Sequence, residues 1–310
     1  MTIVVAGSTG LVGSAIMREF KKRGESVIGI NRSVVDLLDR DATFEFISAA
    51  QPDLVIDAAA IVGGIGANNS FPVDFLSKNL QIQNNLMDAS HAADVERFVF
   101  LGSSCIYPRD CHQPIKEEYL LTGPLEQTNS AYAVAKIAGI ELVKSYRKQF
   151  NRRWISLMPT NMYGPNDNFD LKTSHVLPAF INRFVSAQKV GEKSVTVWGS
   201  GKPRREFLHS HDLACATLIA AEKYDSNEHL NVGTGTDITI AELADLVAKT
   251  AGFHGEILWD TSKPDGTPRK VLDISNIKKI GWEPVVSLNE GIASTIEWYK
   301  DNEAHLAKRK

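Results

Sequence analysis

Apolar positions along the chain change their period again and again over the first 160 or so residues. TIVVA is a short β-branched run that meets a glycine-rich turn. In the segment that follows, Leu11, Ile16 and Phe20 mark an apolar face and Gly24 closes it, the pattern of a strand feeding an amphipathic helix. SVIGINR, PDLVIDAAA and VERFVFLGSS read as three more strands, separated by helical segments that include FLSKNLQIQNNLMDASHAAD. Strands that are almost continuously apolar and alternate with helices predict a parallel sheet covered on both faces. The expected class is α/β, with a doubly wound parallel sheet.

A helix is predicted from Ser130 to Phe150, and RWISLMPTNMYGP supplies another strand that ends in a Pro/Gly loop. Beyond Pro165 the texture changes. NDNFDLKTS is polar, a helix is predicted from His175 to Ala187, and SVTVWGSGKPRREFLHSHD reads as a strand, a turn and a connection. LNVGTGTDITIAELADLVAKTAG is a further strand, loop and helix, with Thr239 as N-cap and Glu242 as its capping-box partner. The division expected is a nucleotide-binding domain over 1–164, with 206–238 returning to it. A smaller, discontinuous α/β substrate lobe is expected over 165–205 and 239–310.

Composition narrows the function classes. The chain has 310 residues, 43% hydrophobic and 23% charged, with a net charge of −3. No global basic field is present, so neither nucleic acid nor an anionic membrane is an expected partner. No apolar run approaches the ~18 residues that span a bilayer, and the first residues form a strand with no cleavable leader before it, so a cytoplasmic protein is expected. Three cysteines are an odd number in a long chain, which argues against a disulfide framework. Cys105, Cys111 and His112 do not match common zinc spacings, and no metal site is expected.

AGSTGLVG sets Gly7, Gly10 and Gly13 at G-x-x-G-x-x-G spacing between a strand and a helix. Glycines there permit a tight turn and close backbone approach, and the helix N-terminus offers free N–H groups to a pyrophosphate. A Rossmann-type dinucleotide site is expected, with Ser8, Thr9, Leu11 and Val12 completing the turn. The second strand ends in Asn31 and Arg32 with no carboxylate until Asp36, which favours NADP over NAD. SAYAVAKIAG places Tyr132 and Lys136 at i and i+4, on one helix face. A lysine ammonium beside a phenol lowers its pKa toward working pH, as proton-transfer chemistry requires.

The glycine turn, a serine at the end of the fourth strand and the Tyr-x-x-x-Lys pair together resemble the extended short-chain dehydrogenases/reductases, which act largely on nucleotide sugars. A finer likeness rests on LGSSCIYP, SAYAVAKIAGIELVKSY, MPTNMYGPNDNF, SHVLPA, VWGSGKPRREFLH and KPDGTPRK. These segments are similar to the GDP-L-fucose synthase family, in which 3,5-epimerisation of GDP-4-keto-6-deoxy-D-mannose precedes NADPH reduction of the carbon-4 ketone.

The resemblance implies Tyr132 as proton donor, Lys136 as its partner on the nicotinamide ribose, and Ser103 at the substrate oxygen. It implies Cys105 as the base and His175 as the acid of epimerisation. Leu101, Gly102, Pro159, Asn161, Met162 and His175 are implied beside the cofactor, and Arg183, Trp198, Arg205 and Asp265 beside the GDP-sugar. It also implies a homodimer through the helices near 75–93 and 130–150. On the residues alone, Cys105 is equally a small buried hydrophobe, His175 a helix cap and Ser104 a local backbone partner. If the strand persists, period-2 alternation puts Cys105 on the side of Ser103, with Ser104 opposite. Two positions depart from the family pattern. AGSTG lacks a His-Arg pair and Ile61 stands where a lysine is common, so Arg32 carries more of the argument for NADP. The fold also hosts related epimerases, dehydratases and simple 4-reductases.

Overall fold

Val4, Val5, Val55, Ile56, Val99 and Phe100 have no exposed surface, because the strands that carry them are covered on both faces. The computed structural model describes residues 1–263 and 265–306; Pro264 and the last four residues, which the sequence reading assigns to the second lobe, lie outside the described residues. The strands β1 (Thr2–Ala6), β2 (Ser26–Ile30), β3 (Leu54–Asp57), β4 (Arg97–Leu101), β5 (Ile155–Pro159) and β10 (Leu230–Val232) form one sheet. Their order is β10-β5-β4-β3-β1-β2 and every pairing is parallel.

Between them run α1 (Leu11–Lys22), α2 (Arg40–Ala50), α3 (Ile65–Ser70), α4 (Asn79–Ala92) and α5 (Ser130–Phe150), and α7 (Ser210–Lys223) precedes β10. The chain leaves β1 toward β2 on one side and returns through β3 on the other. This reversal opens a crevice at the carboxyl ends of β1 and β3, where ligands of such sheets bind.

The second core gathers around α6 (Val176–Val190), α8 (Ile240–Ala251) and α10 (Leu288–Leu306). Leu177, Ile181, Phe184, Leu243, Val247, Ile292 and Ile296 are buried in it. His175 is the N-cap of α6, which extends to Val190, past the expected Ala187, and stops where Gly191 turns left-handed at φ 69°. The expected capping box is present at α8: Thr239 N–H donates to Glu242 Oε2 (2.9 Å) and Glu242 N–H to Thr239 Oγ1 (3.1 Å).

Short strands complete this part. β7 (Ser194–Trp198) pairs with β12 (Glu256–Asp260), β8 (Arg204–Arg205) lies between β11 (Ile238–Thr239) and β13 (Arg269–Lys270), and β6 (Asn161–Tyr163) pairs with β9 (Phe207–His209). Leu272, Ile274, Ile277 and Trp282, on and around α9 (Ser275–Lys279), pack into the first core although they fall in the stretch read from sequence as second lobe.

Candidate active site

A cavity of about 1150 Å³ occupies the crevice and extends across to the second core. Its floor is the glycine turn. Gly7 has φ +74°, and a Cβ on it would lie 2.6 Å from the Ala58 carbonyl oxygen; a Cβ on Gly13 would lie 2.2 Å from the Gly7 carbonyl oxygen. Gly10 is the N-cap of α1, with no side-chain cap and no acidic residue in the first turn. The first N–H groups of α1 are thereby left to an anionic ligand, and the turn fits a pyrophosphate. Thr9, Gly10, Leu11 and Val12 line the cavity, and Arg32 stands exposed at its rim.

Ser8 does not line it. Its N–H donates to the Ile30 carbonyl (2.9 Å) and its side chain lies over Gly29, turned toward β2. Of the residues expected to complete the cofactor turn, Ser8 is thus the one set against β2 and not in the cavity wall.

β4 ends at Leu101, and after Gly102 the extended Ser103 enters a 3₁₀ turn over Ser104–Ile106. The strand therefore does not persist to Cys105, and alternation is not what orients these side chains. The Ser103 hydroxyl accepts the Cys105 N–H at 3.2 Å and caps the turn, a local bond that competes with strand geometry. The turn sets Ser103 and Cys105 in the cavity wall and leaves Ser104 buried there too. Cys105 Sγ accepts a hydrogen bond from Asn129 Nδ2 at 3.4 Å.

Tyr132 and Lys136 share the face of α5 that meets β4, and α5 sits close because Gly139 has no side chain; a Cβ there would lie 2.3 Å from the Phe100 ring. Lys136 Nζ donates to the Leu101 carbonyl at 2.9 Å, 5.9 Å from the centre of the Tyr132 ring. Burial raises the phenol well above its ordinary range, and the charges of Cys105 and Asp57 raise it further, opposed by hydrogen bonding from Ser103. The net direction is upward, against the lowering expected from the pair, with burial the largest cause. Burial pushes Lys136 down, and Asp57 opposes that. Asp57 itself is pushed up to about 6 by burial, with Lys136 and the Ala59 N–H opposing.

His175 lines the same cavity, where desolvation lowers its pKa. Arg205 is pushed down by burial and up by Cys105 and Asp265, which places its guanidinium within electrostatic reach of both. Arg183 also lines the wall and donates to the Thr196 carbonyl at 2.7 Å. Asp265 accepts from Ser200 N (2.9 Å) and Ser200 Oγ (2.6 Å). Trp198 is 63% exposed at the rim. Pro159, Asn161 and Met162 complete the cofactor side of the wall, with Asn161 Nδ2 fixed on the Glu206 carbonyl at 2.8 Å.

Three contributors escape the sequence reading. Asn129 meets Cys105, and Asp57 meets Lys136 electrostatically. Asn79 clamps the loop after β3, accepting from Ile61 N–H (2.7 Å) and donating to the Ile61 (3.0 Å) and Phe75 (2.7 Å) carbonyls. The only signal for Asp57 is a carboxylate ending an otherwise apolar strand. Asn129 and Asn79 carry none.

The comparisons with known proteins converge on this geometry. The profile of the NAD dependent epimerase/dehydratase family matches residues 3–233. The chain is 51% identical to a probable GDP-L-fucose synthase 1 of Oryza sativa subsp. japonica, over 97% of this chain and 92% of the relative. It is 47% identical to the GDP-L-fucose synthase of Escherichia coli (strain K12), over 97% of each. A solved structure of a GDP-L-fucose synthetase from Naegleria fowleri bound to NADP superposes with a TM-score of 0.91 at 30% identity, covering 98% of this chain and 95% of that one. With a glycine cradle at the switch point, the Tyr132/Lys136 pair beside it and these relatives matched over nearly their full length, the chain belongs to the NAD dependent epimerase/dehydratase family, alongside the GDP-L-fucose synthases.

Proposed function

We propose that the protein converts GDP-4-keto-6-deoxy-D-mannose to GDP-L-fucose, epimerising sugar carbons 3 and 5 and then reducing the carbon-4 ketone with NADPH. The observation that carries this reading is that one cavity holds a reductase set, Ser103, Tyr132 and Lys136, together with a thiol and an imidazole, Cys105 and His175. Simple ketone reduction uses no such pair.

The ketone acidifies the C–H bonds on either side of it, so a base and an acid on opposite faces of the sugar invert each centre through an enolate. Cys105 removes the proton, and His175 returns one from the other face. His175 draws its proton from solvent, which the charge of the enolate favours, and Cys105 releases its own to solvent before the second centre is inverted. Asn129 holds the thiol sulfur in place. Bound NADPH supplies the hydride for carbon 4. Tyr132, whose raised pKa keeps it protonated, gives its proton to the ketone oxygen, and Ser103 holds that oxygen. The NADP 2′-phosphate falls to Arg32, the substrate pyrophosphate to Arg183 and Arg205, and the guanosine and sugar to Trp198 and Asp265.

The working unit in this proposal is a cytoplasmic homodimer joined through α4 and α5, in keeping with Val134 and Phe150 exposed on α5 and with three free cysteines; light scattering reads its mass. Among the described residues no helix is long and apolar enough to cross a membrane.

The test is NMR of the product formed from GDP-4-keto-6-deoxymannose and NADPH in deuterated water. GDP-L-fucose carrying deuterium at carbons 3 and 5 is expected. Cys105→Ser is expected to lose that deuterium while still binding NADPH. Tyr132→Phe is expected to keep the exchange and to slow reduction about 10²- to 10⁴-fold. Reduction without exchange in the unaltered protein identifies a simple 4-reductase, and a folded protein that neither exchanges nor reduces sinks the reading altogether.

A further inference from the structure

We infer that Glu19, His211 and Cys215 form a binding site for a divalent ion of the zinc class, which clamps α1 to α7 outside the active-site cavity. Among the described residues these three make the one group of such side chains whose ligand atoms all lie within 4.8 Å of one another. None of them lines the cavity. The sequence spacing conceals the site, because Glu19 lies 192 residues from His211.

His211 and Cys215 are four residues apart on α7 and so share a face. Cys215 Sγ lies 3.7 Å from His211 Nε2. A tetrahedral zinc, about 2.3 Å from sulfur and about 2.0 Å from nitrogen, holds those two atoms about 3.5 Å apart, so the pair already stands at chelating distance. Glu19 Oε1 is 3.1 Å from His211 Nδ1 and 2.7 Å from Lys22 Nζ. One imidazole gives an ion a single nitrogen, so the Glu19–Nδ1 contact must be released; a Glu19 carboxylate oxygen, the thiol sulfur and one His211 nitrogen lie within 4.8 Å of one another, and the carboxylate moves onto the ion as the third ligand.

All three side chains are half-buried, which shields the ion and leaves room for a water as fourth ligand. Thiolate, imidazole and carboxylate together suit zinc or cobalt; magnesium and calcium prefer oxygen alone. The ion binds the thiolate, so its arrival displaces a proton from sulfur. The clamp stiffens α1, whose first turn is the pyrophosphate cradle, and takes no part in the chemistry.

The probe is cobalt(II), titrated into metal-free protein carrying Cys105→Ser and Cys111→Ser so that Cys215 is the remaining thiol. The expected result is one equivalent bound, with a thiolate-to-cobalt charge-transfer band that zinc abolishes by displacement. Adding Cys215→Ser should remove the band, and adding His211→Gln should remove saturable binding. Zinc should raise the melting temperature of the unaltered chain and leave that of Cys215→Ser and of His211→Gln unchanged, with NADPH turnover the same with and without the ion. Equal melting of the metal-free proteins separates ligand loss from misfolding, and two variants guard against either one failing to fold. A band that survives Cys215→Ser, the absence of any saturable band, or an equal zinc-induced shift in the variants overturns the site.

Discussion

Asp57 is a carboxylate in a place built for valine. It ends β3 fully buried, and its Oδ2 has no hydrogen-bond partner among the described residues. What it has is the charge of Lys136, which it holds up, and that of Tyr132's phenolate, which it opposes. Above its own pKa of about 6 the carboxylate therefore keeps both groups protonated. Asp57→Asn removes that charge and lowers both pKa values, so the alkaline limb of the reduction rate is expected to move to lower pH. A pH profile of kcat measures this, and an unmoved limb would leave Asp57 a packing residue only. At this scale the sequence was most informative where chemistry needs a rare residue type at a fixed spacing. Tyr132, Lys136, Ser103 and Cys105 stand out for that reason. Asp57 and Asn129 do not, because they act on partners 79 and 24 positions away, and a single chain records no such distance.

Helix α1 shows how an element is placed by what it lacks. Its first turn rests against the carbonyl of Gly7, and a methyl group on Gly13 would come within 2.2 Å of that oxygen. Gly13→Ala must push the N-terminus of α1 away from the turn, and with it the N–H groups that meet a pyrophosphate. NADPH affinity is expected to fall at least about tenfold, which by free-energy arithmetic is about 1.4 kcal/mol, read by quenching of protein fluorescence. Gly10→Ala meets only a 3.4 Å contact and should be milder, and equal losses would argue against this account. Elements with strong periods, β1 to β5 and α1, α5 and α8, were legible from their patterns. The stretch after β4 was not, because a hydroxyl two residues past the strand captures a backbone N–H, and nothing in the apolar pattern foretells a capped 3₁₀ turn.

Taken as a whole, the molecule stores several titratable groups away from water, and their effects on stability oppose one another. His209 and His229 are lowered to about 4 by burial, so their contribution is full above about 6.5 and is lost as pH falls toward 4. Asp57 and Asp167 are raised by burial, to about 6 and about 7, so theirs is present at low pH and is lost as pH rises through those values. Asp167→Asn removes one of the opposing slopes. Its stability relative to the unaltered chain should improve by a few kcal/mol between about pH 4 and pH 8, measured by urea unfolding at each pH; a constant difference would refute the raised pKa.

The path of the chain also sets an order of assembly. Strands β1 to β5 are complete at Pro159, yet the neighbour of β5 is β10, which the chain reaches only after α6 and α7. The second core waits longer still, for Ile292 and Ile296 of α10. During synthesis β5 is therefore a bare strand edge, and a ribosome that stalls in this interval holds a chain able to pair with the same edge of its neighbour on the message.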